Sequence, residues 1–132
     1  MPRLAVLTLA LLLALPAQAR PPLGENMPII RQLFAAAVGD RIRKTCPTIS
    51  AKMVLVLQRA AALERYALDQ GYTREEIDAF FDDKAEWDRM DARVDAYLAE
   101  RGVRPGSAED HCRVGEAEIA ANSPIGELLR SR

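Results

Sequence analysis

An all-α domain of four to five short helices is the fold the sequence predicts, and three observations carry it. Apolar residues recur at steps of three and four along most of residues 28–120. Strong helix breakers, namely Pro47, Gly71, Gly102, Pro105-Gly106 and Asn122-Ser123-Pro124, cut that pattern into pieces of helical length. No stretch combines two-residue alternation with β-branched enrichment, so no sheet is expected. Short connections between such pieces favour a small bundle-like or orthogonal packing.

The first helix is expected to follow an extended leader over residues 20–27 (RPPLGENM), whose Pro, Gly and polar content suits no regular element. Ile29, Ile30, Leu33, Phe34, Ala37, Val38 and Ile42 share one helical face. Pro47 ends the helix near Lys44 to Cys46, because it lacks an N–H and disfavours helix in the residue before it. Thr48 and Ser50 are the candidate N-caps of a second helix reaching Gln70, with Gly71 closing it. Its apolar residues, from Met53 to Leu57 and then Ala60, Ala61, Leu63, Tyr66, Ala67 and Leu68, cover most of its circumference. A helix of that kind is expected at the centre of the domain, with Leu57 buried.

Thr73-Arg74-Glu75-Glu76 has the form of a capping box and opens a short third helix through Ile77, Phe80 and Phe81. Asp82 and Asp83 cap a fourth, in which Trp87, Met90, Val94, Tyr97 and Leu98 form an apolar stripe that stops at Gly102. After the Pro105-Gly106 turn, Ser107 to Asp110 opens a fifth helix with Cys112, Gly115 and Ile119 on one side. Beyond the stop at Asn122 to Pro124, the tail carries Ile125, Leu128 and Leu129, which either fold back on the core or offer a docking strip.

Ahead of all this, residues 1–19 (MPRLAVLTLALLLALPAQA) have the anatomy of a cleaved export signal. Arg3 provides the charge, Leu4 to Leu15 an apolar run too short to span a bilayer, and Ala17-Gln18-Ala19 the small-x-small cleavage site. The expectation is a periplasmic protein cut after Ala19, with no integral membrane segment in what remains and residues 28–132 forming one helical domain. In an oxidising compartment the only two cysteines, Cys46 and Cys112, are expected to be paired. Closing that long loop restricts the unfolded chain by about 4 kcal/mol on the chain-entropy view.

The chain holds 18 Lys and Arg against 19 Asp and Glu, with no basic block, and this argues against a nucleic-acid partner. His111, the only histidine, lies next to Cys112 in sequence, but neighbouring helical residues point about 100° apart and a paired Cys112 offers no thiolate. It is expected on the helix surface, with no metal or cofactor. The motifs CxxCH, HExxH and GxSxG are absent. The acidic stretch from Glu75 to Asp91 lacks calcium-loop spacing and reads as solvated acids at helix starts. No catalytic residue emerges.

Three segments carry a resemblance: Ile42-Arg43-x-x-Cys46-Pro47-x-Ile49-Ser50; Gly71-Tyr72 with Glu76-Ile77; and Cys112-x-x-Gly115-x-x-Glu118-Ile119-x-x-Asn122-Ser123-x-Ile125-Gly126-x-Leu128-Leu129-Arg130. On these, essentially all of residues 20–132 resembles a family of small exported proteins of alphaproteobacteria, domain of unknown function 5333. Thr45 stands where the family pattern has Asn. The resemblance implies an exported helical domain and supplies no catalytic residue. Because some members are encoded near respiratory complex I genes, it also implies an accessory role at the energy-conserving membrane. Arg43, Glu118, Asn122 and Arg130 match the motif and are candidates for a polar cluster tying the tail to the fifth helix. The functions in view are a non-enzymatic interaction or accessory protein with an unidentified protein partner, an acid-stress periplasmic chaperone by fold-level analogy, and a carboxylate-dependent enzyme.

Overall fold

The structure, a computed structural model, describes residues 20–132, so the export signal read over residues 1–19 lies outside the described residues. Five α-helices and one two-stranded ribbon are present among those residues: α1 (Met27–Thr45), β1 (Ile49–Ala51), α2 (Met53–Asp69), α3 (Arg74–Asp82), α4 (Lys84–Glu100), α5 (Ala108–Ala120) and β2 (Leu129–Ser131). Residues 20–26 hug the surface, with Leu23 buried in a single 3-10 turn and the Tyr72 hydroxyl donating to the Pro21 carbonyl at 2.5 Å. Asn26 then caps α1, accepting from the Ile29 N–H.

The local start and stop signals are realised in detail. Thr73 and Glu76 form a reciprocal capping box, Asp83 accepts from the Ala85 N–H, and Ser107 accepts from the Asp110 N–H. Three helices end in the same paired motif. After α2, Tyr72 N–H bonds the Ala67 carbonyl and Gly71 N–H that of Leu68; after α4, Val103 reaches Leu98 and Gly102 reaches Ala99; after α5, Ser123 reaches Glu118 and Asn122 reaches Ile119. The residue at the turn has positive φ each time, 93° at Gly71, 72° at Gly102 and 48° at Asn122.

The centre of the molecule is α1, not α2. Ile29, Ile30, Ala35, Val38, Gly39 and Ile42 are buried on α1, and it touches α2, α4, α5 and β1. Leu129 from the tail packs directly over its Gly39. One apolar cluster gathers Val38, Ile42, Cys46, Ile49, Val94, Leu98, Val114, Ile125 and Leu129; a second gathers Leu23, Ile29, Ile30, Ala67, Tyr72, Ile77, Phe80 and Met90. Cys46 and Cys112 are bonded, with Cα atoms 5.0 Å apart, and lock the end of α1 to α5. At this crossing Gly115 is closely covered by Ile42 and Ile49, so a Cβ there would force both side chains to shift.

Two expectations fail here for one reason. Thr48 and Ser50 do not cap α2: residues 49–51 pair antiparallel with 129–131, Ile49 opposite Ser131 and Ala51 opposite Leu129. The tail supplies the second strand of a sheet that the sequence pattern excludes, and α2 starts after Lys52 with no side-chain cap. Three-residue strands are too short to show a two-residue period.

Candidate functional site

The tail residues fall into two groups. Ile125, Leu128 and Leu129 are buried, and Leu129 lies over Gly39 of α1. Glu118 anchors the turn that brings them there: the Tyr97 hydroxyl donates to one carboxylate oxygen and the Ser123 hydroxyl to the other, while the Gly126 N–H donates to Ser123 Oγ at 2.9 Å. Gly126 packs on the Glu118 carbonyl so closely that a Cβ would overlap it. Burial, together with the hydrogen bond to the Glu118 carboxylate, pushes the Tyr97 phenol up to about 12, and the Arg101 guanidinium stacks 3.3 Å from its ring centre.

The four-residue polar cluster does not form. Asn122 supplies the positive-φ turn through its backbone, and Arg43 and Arg130 lie elsewhere, lining one depression with Ser50 and Arg132. Arg130 Nε donates to Ser50 Oγ at 3.3 Å, the cross-strand partner that the ribbon's register gives it. Arg43 pairs with Asp40 at 2.5 Å and Lys44 with the same carboxylate at 2.6 Å. Burial alone would raise the Asp40 carboxyl, but these two cations outweigh it and hold the group below its ordinary value.

His111 is not on the surface. It is 2 % exposed, and its Nδ1 lies 2.6 Å from the Ser107 carbonyl, an acceptor only, so this nitrogen carries a proton. The buried face of α5 runs through Asp110, His111, Val114 and Gly115, one step back from the face expected, while Cys112 and Ile119 are half-buried. On that face Asp110 receives the Arg104 side chain at 2.7 Å and its backbone N–H at 3.0 Å, contacts that hold the carboxyl far below the usual range. Among the described residues, no group of three or more His, Cys, Asp or Glu is arranged to hold a metal ion.

The feature that sequence reasoning misplaced is α2. Its second half packs through Leu63, Tyr66, Ala67 and Leu68 on the cluster around Ile29, Ile30 and Ile77. Its first half joins neither apolar cluster. Met53 is 50 % exposed, Val54 71 % and Leu57 63 %, so the helix expected at the centre presents three large apolar side chains to solvent. Two contacts tie this half down: the Lys52 N–H donates to the Leu128 carbonyl at 2.8 Å, and Arg59 pairs with Glu127 at 3.1 Å.

Clefts open on both flanks of α2. One of about 500 Å³ is lined by Leu33, Ala37, Met53, Val56, Trp87 and Leu129, among others. Another, of about 260 Å³, is lined by Leu33, Ala36, Val56, Leu63, Pro124 and Leu128, among others. An isolated exposed Leu is ordinary, but several on successive turns beside apolar clefts form a contact surface. A signal for it exists in the sequence: α2 is apolar nearly all round, so any face of it that the domain leaves uncovered is itself apolar. No helix among the described residues is long and apolar enough to cross a membrane.

Comparison with known proteins places residues 21–130 on the model of a single family, described as a family of unknown function, DUF5333. Neither the curated proteins nor the solved structures give a match. The matched span takes in the disulfide, β1 and most of β2, α2 and the Glu118 anchor, and the chain belongs to the DUF5333 family.

Proposed function

We propose that this chain is an exported accessory protein that acts by docking at the envelope rather than by catalysis, with residues 1–19 removed and the disulfide formed on export. The observation that carries the reading is the solvent-facing first half of α2, where Met53, Val54 and Leu57 stand clear of both cores. The resemblance to a family some of whose members are encoded near respiratory complex I genes supports the outer face of the energy-conserving membrane as the place where it works. With Ile125, Leu128 and Leu129 committed to the core, α2 takes over the docking role that the tail had as a candidate.

Two readouts on one preparation test this. N-terminal sequencing of the exported protein is expected to begin at Arg20-Pro21-Pro22, and an intact Met1 contradicts export. Washed envelopes are expected to retain the wild-type chain and to release a folded Val54→Asp/Leu57→Asp variant, and equal retention of both contradicts docking through α2. Recovery of respiratory-chain subunits with the retained protein tests the respiratory link.

A further inference from the structure

The surface beside the exposed tip of α2 is strongly cationic. Arg43 comes from the last turn of α1, and Arg130 and Arg132, two residues apart, point to the same side of β2 and its extension. Together with Ser50 and Met53 they line a depression of about 280 Å³. Lys44 precedes the ribbon and Lys52 opens α2. Among the described residues Lys52, Arg130 and Arg132 have no ion-pair partner, and Asp40 is the only carboxylate paired with Arg43 and Lys44. Glu116 meets Ser131, whose side chain lies on the opposite side of the strand from Arg130.

Met53 belongs to both features, since it lines the cationic depression and starts the apolar tip with Val54 and Leu57. Guanidinium groups bind phosphate oxygens in pairs, and apolar side chains beside them favour the boundary between headgroups and acyl chains. Each basic residue near an anionic bilayer adds to the attraction, and a bilayer accepts a protruding tip without a shaped complement. A stable protein interface, by contrast, needs about 800 Å² per partner, and three side chains at a helix start supply far less.

We propose that this end of the molecule, with Arg43, Arg130 and Arg132 beside Met53, Val54 and Leu57, is a peripheral docking site for an anionic phospholipid surface. This rests on the docking role of α2 argued above and names what it docks on. Phospholipid phosphates occupy the arginine-lined depression, and Val54 and Leu57 enter the interfacial layer.

The test is flotation of the full disulfide-bonded protein with protein-free vesicles of phosphatidylcholine containing about 30 mol% phosphatidylglycerol, against phosphatidylcholine alone. Binding is expected to the first and to be at least about tenfold weaker to the second, and to fall steeply from about 0.1 M to about 0.5 M salt. Arg130→Glu/Arg132→Glu and Val54→Asp/Leu57→Asp are each expected to lower binding by about tenfold or more. Arg93→Glu on α4 leaves it unchanged, and circular dichroism verifies that each variant is folded. Equal binding to both vesicle types, no effect of either double variant, or binding of inorganic phosphate in calorimetry without binding of vesicles overturns the proposal. Retention on native envelopes without binding to these vesicles overturns the lipid assignment alone; loss of both overturns the docking role as well.

Discussion

Replacing Ile42 and Leu57 separately distinguishes a core built on α1 from one built on α2. Ile42 is fully buried and packed against Gly115 of α5, in a crossing fixed by the disulfide a turn away. Truncation to Ala removes its outer carbons from a site with little freedom to collapse, so the cost is about 3–4 kcal/mol. At about 4 °C per kcal/mol for a domain of this size, the melting temperature falls by about 12–16 °C. Leu57 is 63 % exposed and belongs to neither cluster. Leu57→Asp forfeits a minor part of a leucine's burial and some helix propensity, about 1 kcal/mol together and about 4 °C. Were Leu57 in the core, the same change would bury an unpaired charge and unfold the domain. Thermal and urea unfolding followed by circular dichroism and Trp87 fluorescence reads both variants, with the urea dependence expected to stay constant. A loss at Leu57→Asp equal to that at Ile42→Ala refutes the placement of α2.

Deleting residues 123–132 removes β2 and the buried Ile125, Leu128 and Leu129, and is expected to lower the melting temperature by more than about 10 °C or to abolish the transition; an unchanged melt contradicts the packing of the tail. The Tyr97 phenol, raised to about 12 by burial and by its bond to the Glu118 carboxylate, favours the folded state fully below the ordinary tyrosine value near 10, and that contribution disappears between about pH 10 and 12. Ultraviolet titration is expected to show one phenol ionising late, and Glu118→Gln to bring it down. Asp110, held low by the Arg104 side chain and then by its backbone N–H, stabilises the fold above the ordinary carboxyl value near 4 and loses that contribution as the pH falls toward its own lowered value. The melting temperature of Asp110→Asn is therefore expected to depend less on pH below about 4 than that of the wild type.

What was legible in the sequence was local. The Thr73/Glu76 box, the Asp83 and Ser107 caps and the stops at Gly71, Gly102 and Asn122 are set within a few residues of chain, and all appear where their chemistry puts them. The Cys46–Cys112 pair needed only a compartment argument. What was not legible depends on partners far away in the chain. Residues 49–51 become a strand because residues 129–131 return to them, and His111 is buried on the face that α5 turns inward where Gly115 and Cys112 meet α1 and β1. The pattern put the apolar residues of α1 on one face and those of α2 around most of its circumference, and so ranked α2 first. The packing reverses that order, with Gly115 of α5 set close against Ile42 and Leu129 lying over Gly39. The candidate surface was hidden by the same ranking: apolar residues of α2 expected in the core turned out to be those the core leaves uncovered.

Hydrogen–deuterium exchange on the free, disulfide-bonded protein and on the same protein bound to washed envelopes tests the central claim most directly, because it reads α1 and α2 together. In the free protein, amides of residues 53–62 are expected to exchange well before those of residues 35–42. On envelopes, residues 53–62 are expected to slow while residues 35–42 stay as they were. Protection of α2 equal to that of α1 in the free protein, with no change on envelopes, would contradict the account.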